Sequence, residues 1–424
     1  MIIPNQLWKI KRKFTEIIIF FEIMLLKKKY LIGIIIQGDK VENNNTNRKS
    51  FSIRLSVLVA IILVFFICVR YTSDSSFKKK MDTKVLKKEV AEQSLKTIEI
   101  NSDNNPISYA YDNYIVVLAK NKLTEYDSNG NVVAELDVNI SIPLFASNGK
   151  YLVLADKDAK NIYLISGSSI LWKNSVDGDI SQINVNKNGY VSIIIKNTIY
   201  KSIVLYYDSD GREIFRDILS SNYATCSCIS PDNKYLAVGE IDYSGTIIKS
   251  SVKIISAELA QSDPNNSIVY TYNSDNNEII TNINYQNNYA ICMFTDYIQK
   301  ISPTSDERLY DFTSDDLFVD INSKNHMIKI NKQSSGLFSY EYGVSIINTS
   351  NKSEGLYILN SDLPKSIYVT GNNILLNLGN EVHIINTSGW LIKKYLSTKQ
   401  INSIIMGDNI AGIIYKNKIE IIDF

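Results

Sequence analysis

The chain has 424 residues, of which 45% are apolar and 21% charged, an ordinary composition for a folded protein. Residues 1–90 contain 18 Lys/Arg and 7 Asp/Glu, so the overall charge of +1 leaves residues 91–424 at −10. An acidic body argues against nucleic acid as a partner, because phosphate binding needs a basic surface. The presence of only 2 histidines disfavours a His-based metal or triad enzyme.

Residues 1–50 are predicted to form a cytoplasmic N-terminal tail. Within residues 14–36, two apolar runs are separated by Lys27, Lys28 and Lys29, and neither run is long enough to cross a bilayer. Residues 1–36 are therefore either an interfacial segment or a mispredicted extension upstream of the true start. Residues 37–50 are polar and Asn-rich, which is typical of a disordered segment.

Residues 51–71 are predicted to form one transmembrane helix. Leu55 to Val69 contains no charge, and Arg54 and Arg70 can extend to the two interfaces. No small-residue cleavage site follows, which indicates an uncleaved signal anchor. The basic residues of the tail favour a cytoplasmic N-terminus and an extracytoplasmic body. Seven basic residues soon after Val69 favour the reverse topology, which stays open.

Residues 72–96 are predicted to be a basic stalk. Its lysines include Lys78 to Lys80 and the pair Lys87 and Lys88. The simplest interpretation is a solvated linker. The alternative is contact with anionic lipid or wall polymer.

Residues 97–424 show strand-and-turn chemistry throughout, with short Val-, Ile- and Tyr-rich runs between Asn, Asp, Gly and Ser clusters. A polar turn followed by an apolar strand recurs at intervals of 36 to 54 residues. Four antiparallel strands per repeat predict an all-β fold, a β-propeller with eight four-stranded blades. Seven blades are possible if the intervals of 54 or 47 residues conceal a misregistered repeat. The fifth residues of the eight copies are Tyr114, Tyr151, Tyr190, Tyr235, Tyr289, Met327, Ile374 and Ile410.

The two ends of this region predict how the ring closes. The last repeat ends with a strand at 417–424 and has no fourth strand, while one spare strand lies at 96–101. We expect the spare strand to complete the last blade, because closure removes an exposed sheet edge.

The segments LISGSSILW (164–172) and IINTSGWLI (384–392) resemble the repeats of quinoprotein-type eight-bladed propellers, with Trp172 near the conserved Trp position. The Gly-His and Trp-Asp pairs of WD-repeat blades are absent, although the blade layout is WD40-like. The whole arrangement resembles a membrane-anchored β-propeller family of unknown function from AT-rich clostridia-type bacteria. This resemblance implies a cell-envelope location and no established activity.

The sequence contains no HExxH, CxxC, GxSxG, P-loop or GxGxxG motif. We therefore predict no catalytic, cofactor-binding or metal-binding residues and no cofactor. His326 and His383 are interpreted as structural residues. Cys226 and Cys228 share one strand face but are too far apart for an unstrained bridge, whereas Cys292 could pair with one of them.

Two repeated features have both structural and functional interpretations. The Asp208–Gly211 and Asp127–Gly130 turns resemble the start of a calcium loop, but the distal bidentate Glu is missing and hairpin turns are favoured. The tyrosines that begin five of the repeats either pack between blades or form a stacking platform for a sugar or peptide.

These observations predict a non-enzymatic binding or scaffold module, held at the cell membrane by a single span with the propeller outside. A protein or envelope polymer would bind one propeller face through loops between blades. One alternative is an enzyme acting on cell-surface glycan with a pair of carboxylates. The other is a cytoplasm-facing scaffold with reversed topology.

Overall fold

The structure, a computed structural model, describes residues 96–423 except 276, 335–339, 360–362 and 398, together with Ile67, Arg70 and Tyr71. The predicted tail (1–50) lies outside the described residues, as does nearly all of the predicted helix (51–71) and stalk (72–96). Across the described part of the chain, no helix has the length and apolar character needed to cross a bilayer.

The described residues form eight four-stranded antiparallel sheets, which are the blades of a propeller. Short 3-10 helices lie at Ser102–Asn104 and Pro264–Asn266, and helix α1 is Ala257–Ser262. The strands of blades 1 to 4 are β2 (Ile107–Tyr111), β3 (Tyr114–Ala119), β4 (Lys122–Tyr126) and β5 (Val132–Asp137); β6 (Pro143–Asn148), β7 (Tyr151–Asp156), β8 (Asn161–Ser166) and β9 (Ser169–Ser175); β10 (Asp179–Val185), β11 (Val191–Lys196), β12 (Ser202–Tyr207) and β13 (Glu213–Leu219); and β14 (Tyr223–Ile229), β15 (Tyr235–Asp242), β16 (Lys249–Ser256) and β17 (Ile268–Asn273).

Blades 5 to 8 follow the same order. Their strands are β18 (Ile280–Gln286), β19 (Tyr289–Phe294), β20 (Tyr297–Ile301) and β21 (Asp306–Asp311); β22 (Asp316–Asp320), β23 (His326–Ser334), β24 (Tyr340–Asn348) and β25 (Glu354–Leu359); β26 (Ser366–Thr370), β27 (Asn373–Asn377), β28 (Glu381–Asn386) and β29 (Leu391–Leu396); and β30 (Ser403–Met406), β31 (Ile410–Ile414), β32 (Lys418–Asp423) and β1 (Lys96–Glu99).

Blade 8 is assembled from both ends of the propeller sequence. Its sheet order is β30-β31-β32-β1, and β1 pairs with β32 in antiparallel register from Lys96 opposite Ile421 to Glu99 opposite Lys418. The predicted closure by the spare N-terminal strand is therefore confirmed. The predicted count of eight blades is also confirmed, and seven is wrong.

The two long repeat intervals come from insertions and not from a lost blade. In blade 4, β15 and β16 have 8 residues each, and residues 257–267 insert helix α1 before β17. In blade 6, β23 and β24 have 9 residues each. For comparison, β19 and β20 of blade 5 have 6 and 5 residues. The longer hairpins extend beyond their neighbours because each added residue lengthens a strand by about 3.3 Å.

The core is distributed between blades. The described residues form eight apolar clusters, and each cluster combines side chains of two adjacent blades. The tyrosines that begin the repeats belong to these clusters, as the packing interpretation predicts. Tyr151 of blade 2 is one example. Its ring packs so closely on Gly189 of blade 3 that a Cβ added to this glycine would lie 2.9 Å from the ring.

Connecting segments divide between two faces of the ring. The turn face carries the turns between first and second and between third and fourth strands. Its segments are 112–113, 127–131, 149–150, 167–168, 186–190, 208–212, 230–234, 257–267, 287–288, 302–305, 321–325, 349–353, 371–372, 387–390 and 407–409. The link face carries the turns between second and third strands and the links between blades. Its described residues are 100–106, 120–121, 138–142, 157–160, 176–178, 197–201, 220–222, 243–248, 274–275, 277–279, 295–296, 312–315, 363–365, 378–380, 397, 399–402 and 415–417.

The Asp-rich turns of the turn face use their carboxylates to fold the turn itself. Asp208 Oδ1 accepts hydrogen bonds from the backbone amides of Asp210 and Arg212, both at 2.9 Å, and Asp127 does the same in its turn. Gly211 then takes a φ of +79°, a left-handed conformation that glycine adopts without strain. These contacts confirm the hairpin-turn interpretation.

Hydrogen bonds join the inner turns of adjacent blades around the turn face. They run from Asn186 Nδ2 to Ser230 O (3.0 Å), Gln286 Nε2 to Ser323 O (3.0 Å), Ser323 Oγ to Gly371 O (3.0 Å), Thr370 Oγ1 to Asp408 Oδ1 (3.4 Å) and Asn409 N to Asp112 O (3.1 Å). The last bond connects blades 8 and 1 and thus reinforces the closure. These polar groups are consequently satisfied within the ring itself.

Closure should make a large contribution to stability through Ile98, the buried residue of β1 in the core between blades 8 and 1. Replacement of Ile98 by Ala is expected to lower the free energy of unfolding by about 2–5 kcal/mol. Thr97→Ala, at the exposed neighbour in the same strand, should change it by less than about 0.5 kcal/mol. Urea unfolding of the full chain, followed by tryptophan fluorescence, measures both. Equal effects would contradict a closure that depends on Ile98.

Candidate functional site

Exposed large apolar side chains are distributed unequally between the two faces. Among the described residues, five lie in link-face segments and none in turn-face segments. At strand ends, Ile107 and Leu396 adjoin link-face segments, whereas Val132 and Ile268 adjoin turn-face segments. Such an accumulation at one end of a fold marks an interaction surface. The five link-face residues are Ile142, Ile199, Tyr243, Ile247 and Leu363.

One part of this surface bridges blades 3 and 4. Tyr223, the first residue of the innermost strand β14, stacks on Tyr243, with ring centroids 4.9 Å apart and planes 14° apart. Lys201 Nζ lies 5.1 Å from the Tyr223 centroid. Hydrogen bonds from Tyr243 and from Lys201 lower the pKa of Tyr223. We name Ile199, Lys201, Tyr223, Tyr243 and Ile247 the blade 3–4 patch.

Local hydrogen bonds hold the turns that present this patch. Asn197 Oδ1 accepts from the backbone amide of Ile199 at 2.8 Å, and Ile199 is 80% exposed. Asp242 Oδ1 accepts from the amide of Ser244 at 2.9 Å, next to Tyr243, which is 54% exposed. The apolar side chains are thus held in water by ordered turns, and burying them against a partner would be favourable.

The link face over blade 5 has a different character. Its segments 274–279, 295–296 and 312–315 contain carboxylates and, among the described residues, no Lys or Arg. Glu278 Oε2 accepts from Thr295 Oγ1 at 2.7 Å, and Asp275 pairs with Arg308 of β21 at 3.1 Å. We name Asp275, Glu278, Asp296 and Asp315 the blade 5 acidic sector.

A buried ionic cluster lies between blades 3 and 4, near the blade 3–4 patch in sequence. Glu240, fully buried on β15, has Oε1 at 2.6 Å from Lys253 Nζ and accepts from Asn222 Nδ2 at 2.9 Å. Asp217 of β13 faces the same pair. Burial raises the pKa of Asp217, the charge of Lys253 opposes the shift, and Glu240 adds to it. Asp217 Oδ2 has no hydrogen-bond partner among the described residues.

Aromatic side chains meet near the axis of the ring. Tyr109 of β2 stacks on Phe145 of β6 at 5.0 Å, and its hydroxyl lies 3.2 Å from Ser147 Oγ. Tyr368 of β26 hydrogen-bonds to Tyr109, and burial raises its pKa. On β22, burial also raises the pKa of Asp320, although its carboxylate accepts two bonds from the next turn. Inner strands of blades 1, 2 and 7 therefore contribute one connected aromatic group.

The turn face also holds a pair of half-buried carboxylates, Asp112 and Asp408, on the inner turns of blades 1 and 8. Burial raises the pKa of Asp112. Burial and the charge of Asp112 raise the pKa of Asp408. A pair of carboxylates with raised pKa values at the inner end of a ring is an arrangement that acid–base chemistry can use.

Both histidines contact neighbouring protein groups in the described structure. His383 lies between blades 6 and 7, where Nδ1 is 2.9 Å from the Tyr357 hydroxyl and Nε2 is 3.0 Å from Glu381. Burial lowers the pKa of His383. His326 contacts the backbone oxygen of Lys324. Within the described ranges, no three His, Cys, Asp or Glu residues are grouped to hold a metal.

The three cysteines of the propeller share the core between blades 4 and 5. Cys226 and Cys228 are on one face of β14, as the sequence predicts, and Cys292 faces them from β19. All three are free thiols, so the bridge considered for Cys292 is not present. Burial raises the pKa of Cys226 to about 12 and of Cys228 to about 11, which keeps these thiols protonated.

Sequence reasoning names no residue of the blade 3–4 patch. The available signal is an apolar residue inside an otherwise polar turn, as in 197–200 (NTIY) and 243–248 (YSGTII). Both segments look like the start of a strand when only composition is considered. Assignment to the link face requires the strand order of each blade.

A family model described as a family of unknown function (DUF5711) matches residues 86–424, which include the whole propeller. The chain belongs to this family. The match begins ten residues before β1, so the family domain and the propeller coincide. No curated protein matches the chain.

Several solved structures resemble this DUF5711 chain. The C-terminal WD40 domain of Sif2 has 9% identity and a TM-score of 0.50, covering 78% of this chain and 99% of its own. Sqt1 from Chaetomium thermophilum has 11% identity and a TM-score of 0.50, covering 78% and 98%. BamB from Moraxella catarrhalis has 10% identity and a TM-score of 0.47, covering 78% and 97%. At these identities the likeness concerns the propeller fold alone.

The buried ionic cluster yields a stability prediction for this DUF5711 propeller. Lys253→Met removes the cation that faces Glu240 and Asp217, so the free energy of unfolding should fall by about 3–5 kcal/mol. Lys249→Met, at the exposed start of the same strand, should change it by less than about 0.5 kcal/mol. Urea unfolding of the full chain measures both variants. A small effect at Lys253 would show that the two carboxylates do not depend on it.

Proposed function

We propose that the chain is a non-enzymatic binding module, anchored in the cell membrane by residues 51–71, whose extracytoplasmic propeller binds a protein through its link face. The observation that carries this proposal is the unequal distribution of exposed large apolar side chains, which the described link-face segments have and the turn-face segments lack. Apolar surface of this kind supports association with another protein.

Charge favours a protein over an envelope polymer as the bound partner. Residues 91–424 carry a net charge of −10, and the blade 5 acidic sector lies on the proposed binding face. Anionic polymers would be repelled by such a surface, whereas a protein can match both its apolar and its charged parts. The basic stalk is a segment suited to anionic lipid or polymer.

Connectivity is compatible with a tether that leaves the link face accessible. The chain enters the propeller at Lys96, which pairs with Ile421 near the end of β32, at the turn-face side of blade 8. Any preceding segment is therefore joined to the outermost strand of blade 8 on the turn face. The link-face segments of blades 3 to 5 lie on the other side of the ring.

A second candidate function is the cleavage of cell-surface glycan. Asp112 and Asp408 favour it, because both have raised pKa values and their turns adjoin through the bond from Asn409 N to Asp112 O, at 3.1 Å. One carboxyl group could serve as acid and the other as base or nucleophile. The pair also has a structural use, because Asp408 accepts a hydrogen bond from Thr370 and both turns take part in ring closure.

The binding proposal predicts that apolar-to-acidic changes on the link face abolish partner capture. Ile142→Asp and Ile199→Asp introduce a charge that must be desolvated on binding, so capture of cross-linked proteins by the full chain should fall about tenfold or more. Leu171→Asp is the matched control, because Leu171 is similarly exposed, at 48%, on the outermost strand of blade 2. Quantitative mass spectrometry after cross-linking in cells measures capture.

Two results would contradict the binding proposal. Unchanged capture by both link-face variants would exclude this face. Hydrolysis of envelope glycan by the full chain, lost in Asp112→Asn and Asp408→Asn variants that still fold, would replace it with the enzymatic function.

The proposed topology has its own test. In intact protoplasts, protease should remove a C-terminal tag from the full chain, because the propeller would lie outside. Survival of the tag until lysis would place the propeller in the cytoplasm and favour the reversed-topology scaffold. A cytoplasmic protein with the same tag provides the control for protoplast integrity.

A further inference from the structure

The blade 4 hairpin, formed by β15, β16 and segment 243–248, is a raised feature of the link face. Its strands have 8 residues each, against 6 in β11 and β12 of blade 3 and 6 and 5 in blade 5. Its turn exposes Tyr243 and Ile247 to 54% and 42%. An apolar ridge therefore separates the link-face segments of blade 3 from those of blade 5.

The two sides of this ridge differ in charge, and on the blade 3 side Asp177 is already paired with Arg216 at 2.9 Å. On the blade 3 side, Lys201 lies beside Tyr223, and Ile199 is the most exposed of the large apolar residues in the described chain. On the blade 5 side is the acidic sector of Asp275, Glu278, Asp296 and Asp315. Nearby cations are Arg308, which is paired with Asp275 and Asp311 at 3.1 Å, Lys249, which directly follows the hairpin turn, and Lys332, whose backbone amide donates to Asp315 O at 3.0 Å.

We propose that a second copy of the chain docks on this surface, with a two-fold axis through the blade 4 hairpin. Such an axis brings the hairpin of one copy against the hairpin of the other and exchanges the blade 3 side with the blade 5 side. Lys201 of each copy then faces the acidic sector of the other. A two-fold interface requires this self-complementarity, in which one patch contacts the other and the reverse contact is identical.

The arrangement has the anatomy of a protein interface. Tyr243 and Ile247 supply an apolar centre at the axis, and the ion pairs flank it on both sides. The aromatic stack of Tyr223 and Tyr243 is already ordered, so less conformational entropy is lost on docking. This inference rests on the proposed function of the link face and identifies its partner as a second copy of the chain.

The first test is a symmetric disulfide across the axis. Ser244 is exposed in the hairpin turn, so a full-length Ser244→Cys variant in native membranes should form a cross-linked dimer on mild oxidation. Lys187→Cys, exposed on the turn face, is the control and should remain monomeric. The native propeller cysteines are buried, which removes them as competitors. Equal cross-linking of both variants would overturn the proposal.

Charge exchange provides the second test and keeps the proposal falsifiable if one variant is unstable. In the Ser244→Cys background, Lys201→Glu makes both sides acidic. The combined changes Asp275→Lys, Asp296→Lys and Asp315→Lys leave three lysines against Glu278 on the blade 5 side, so that both sides become basic. Each should reduce the cross-linked dimer about tenfold, because like charges then meet twice. Co-expression of the two variants with different tags should restore a mixed dimer. Lys187→Glu, on the turn face, should have no effect.

The outcomes separate this inference from the function on which it rests. Absence of the dimer, combined with loss of other captured proteins in Ile142→Asp and Ile199→Asp, would overturn the two-fold docking and leave the link face as a surface for a different protein. Absence of the dimer, combined with unchanged capture of other proteins in both variants, would overturn the two proposals together. Failure of the mixed pair to recover would overturn the charge exchange on which the two-fold argument depends.

Discussion

The structure depends on the pairing of β1 with β32. Without β1, blade 8 would have three strands, an unpaired edge on β32 and a core with blade 1 lacking Ile98. Because every apolar cluster lies between two blades, no blade has a core of its own, and loss at one interface is transmitted around the ring. Closure also brings the turns of Asp112 and Asp408 together, although they are 296 positions apart in sequence.

The turn face and the link face differ in whether their side chains find partners within the protein. On the turn face, Asp and Asn side chains fold the hairpins and several amides and hydroxyls join adjacent blades, so its polar groups bond within the protein. On the link face, ordered turns hold Ile199 and Tyr243 in solvent. Ile199 is 80% exposed, and Tyr243 is still 54% exposed although it stacks on Tyr223, so apolar surface remains in water as it does at an interface without its partner.

Periodicity alone predicts most of the fold, because each blade repeats the same turn and strand chemistry. The strand at 96–101, the four-stranded units and the packing of Tyr151 between blades all follow from residues close in sequence. The blade count is less certain at that level because the insertions in blades 4 and 6 lengthen two intervals. The site is not predicted, since Asp217 and Glu240 meet across blades and Lys201 approaches the stacked pair of Tyr223 and Tyr243 across the same boundary.

The buried cluster of Glu240, Lys253 and Asp217 brings two carboxylates and one ammonium group into the interface between blades 3 and 4. An apolar replacement of similar volume would avoid the desolvation of three charges, so the cluster is not an economical way to hold two blades together. Asn222, which donates to Glu240 at 2.9 Å, directly precedes Tyr223 of the exposed stack. A fixed network beneath an exposed aromatic pair restricts the orientation of that pair, and a rigid surface is the form in which apolar contacts give specificity as well as affinity.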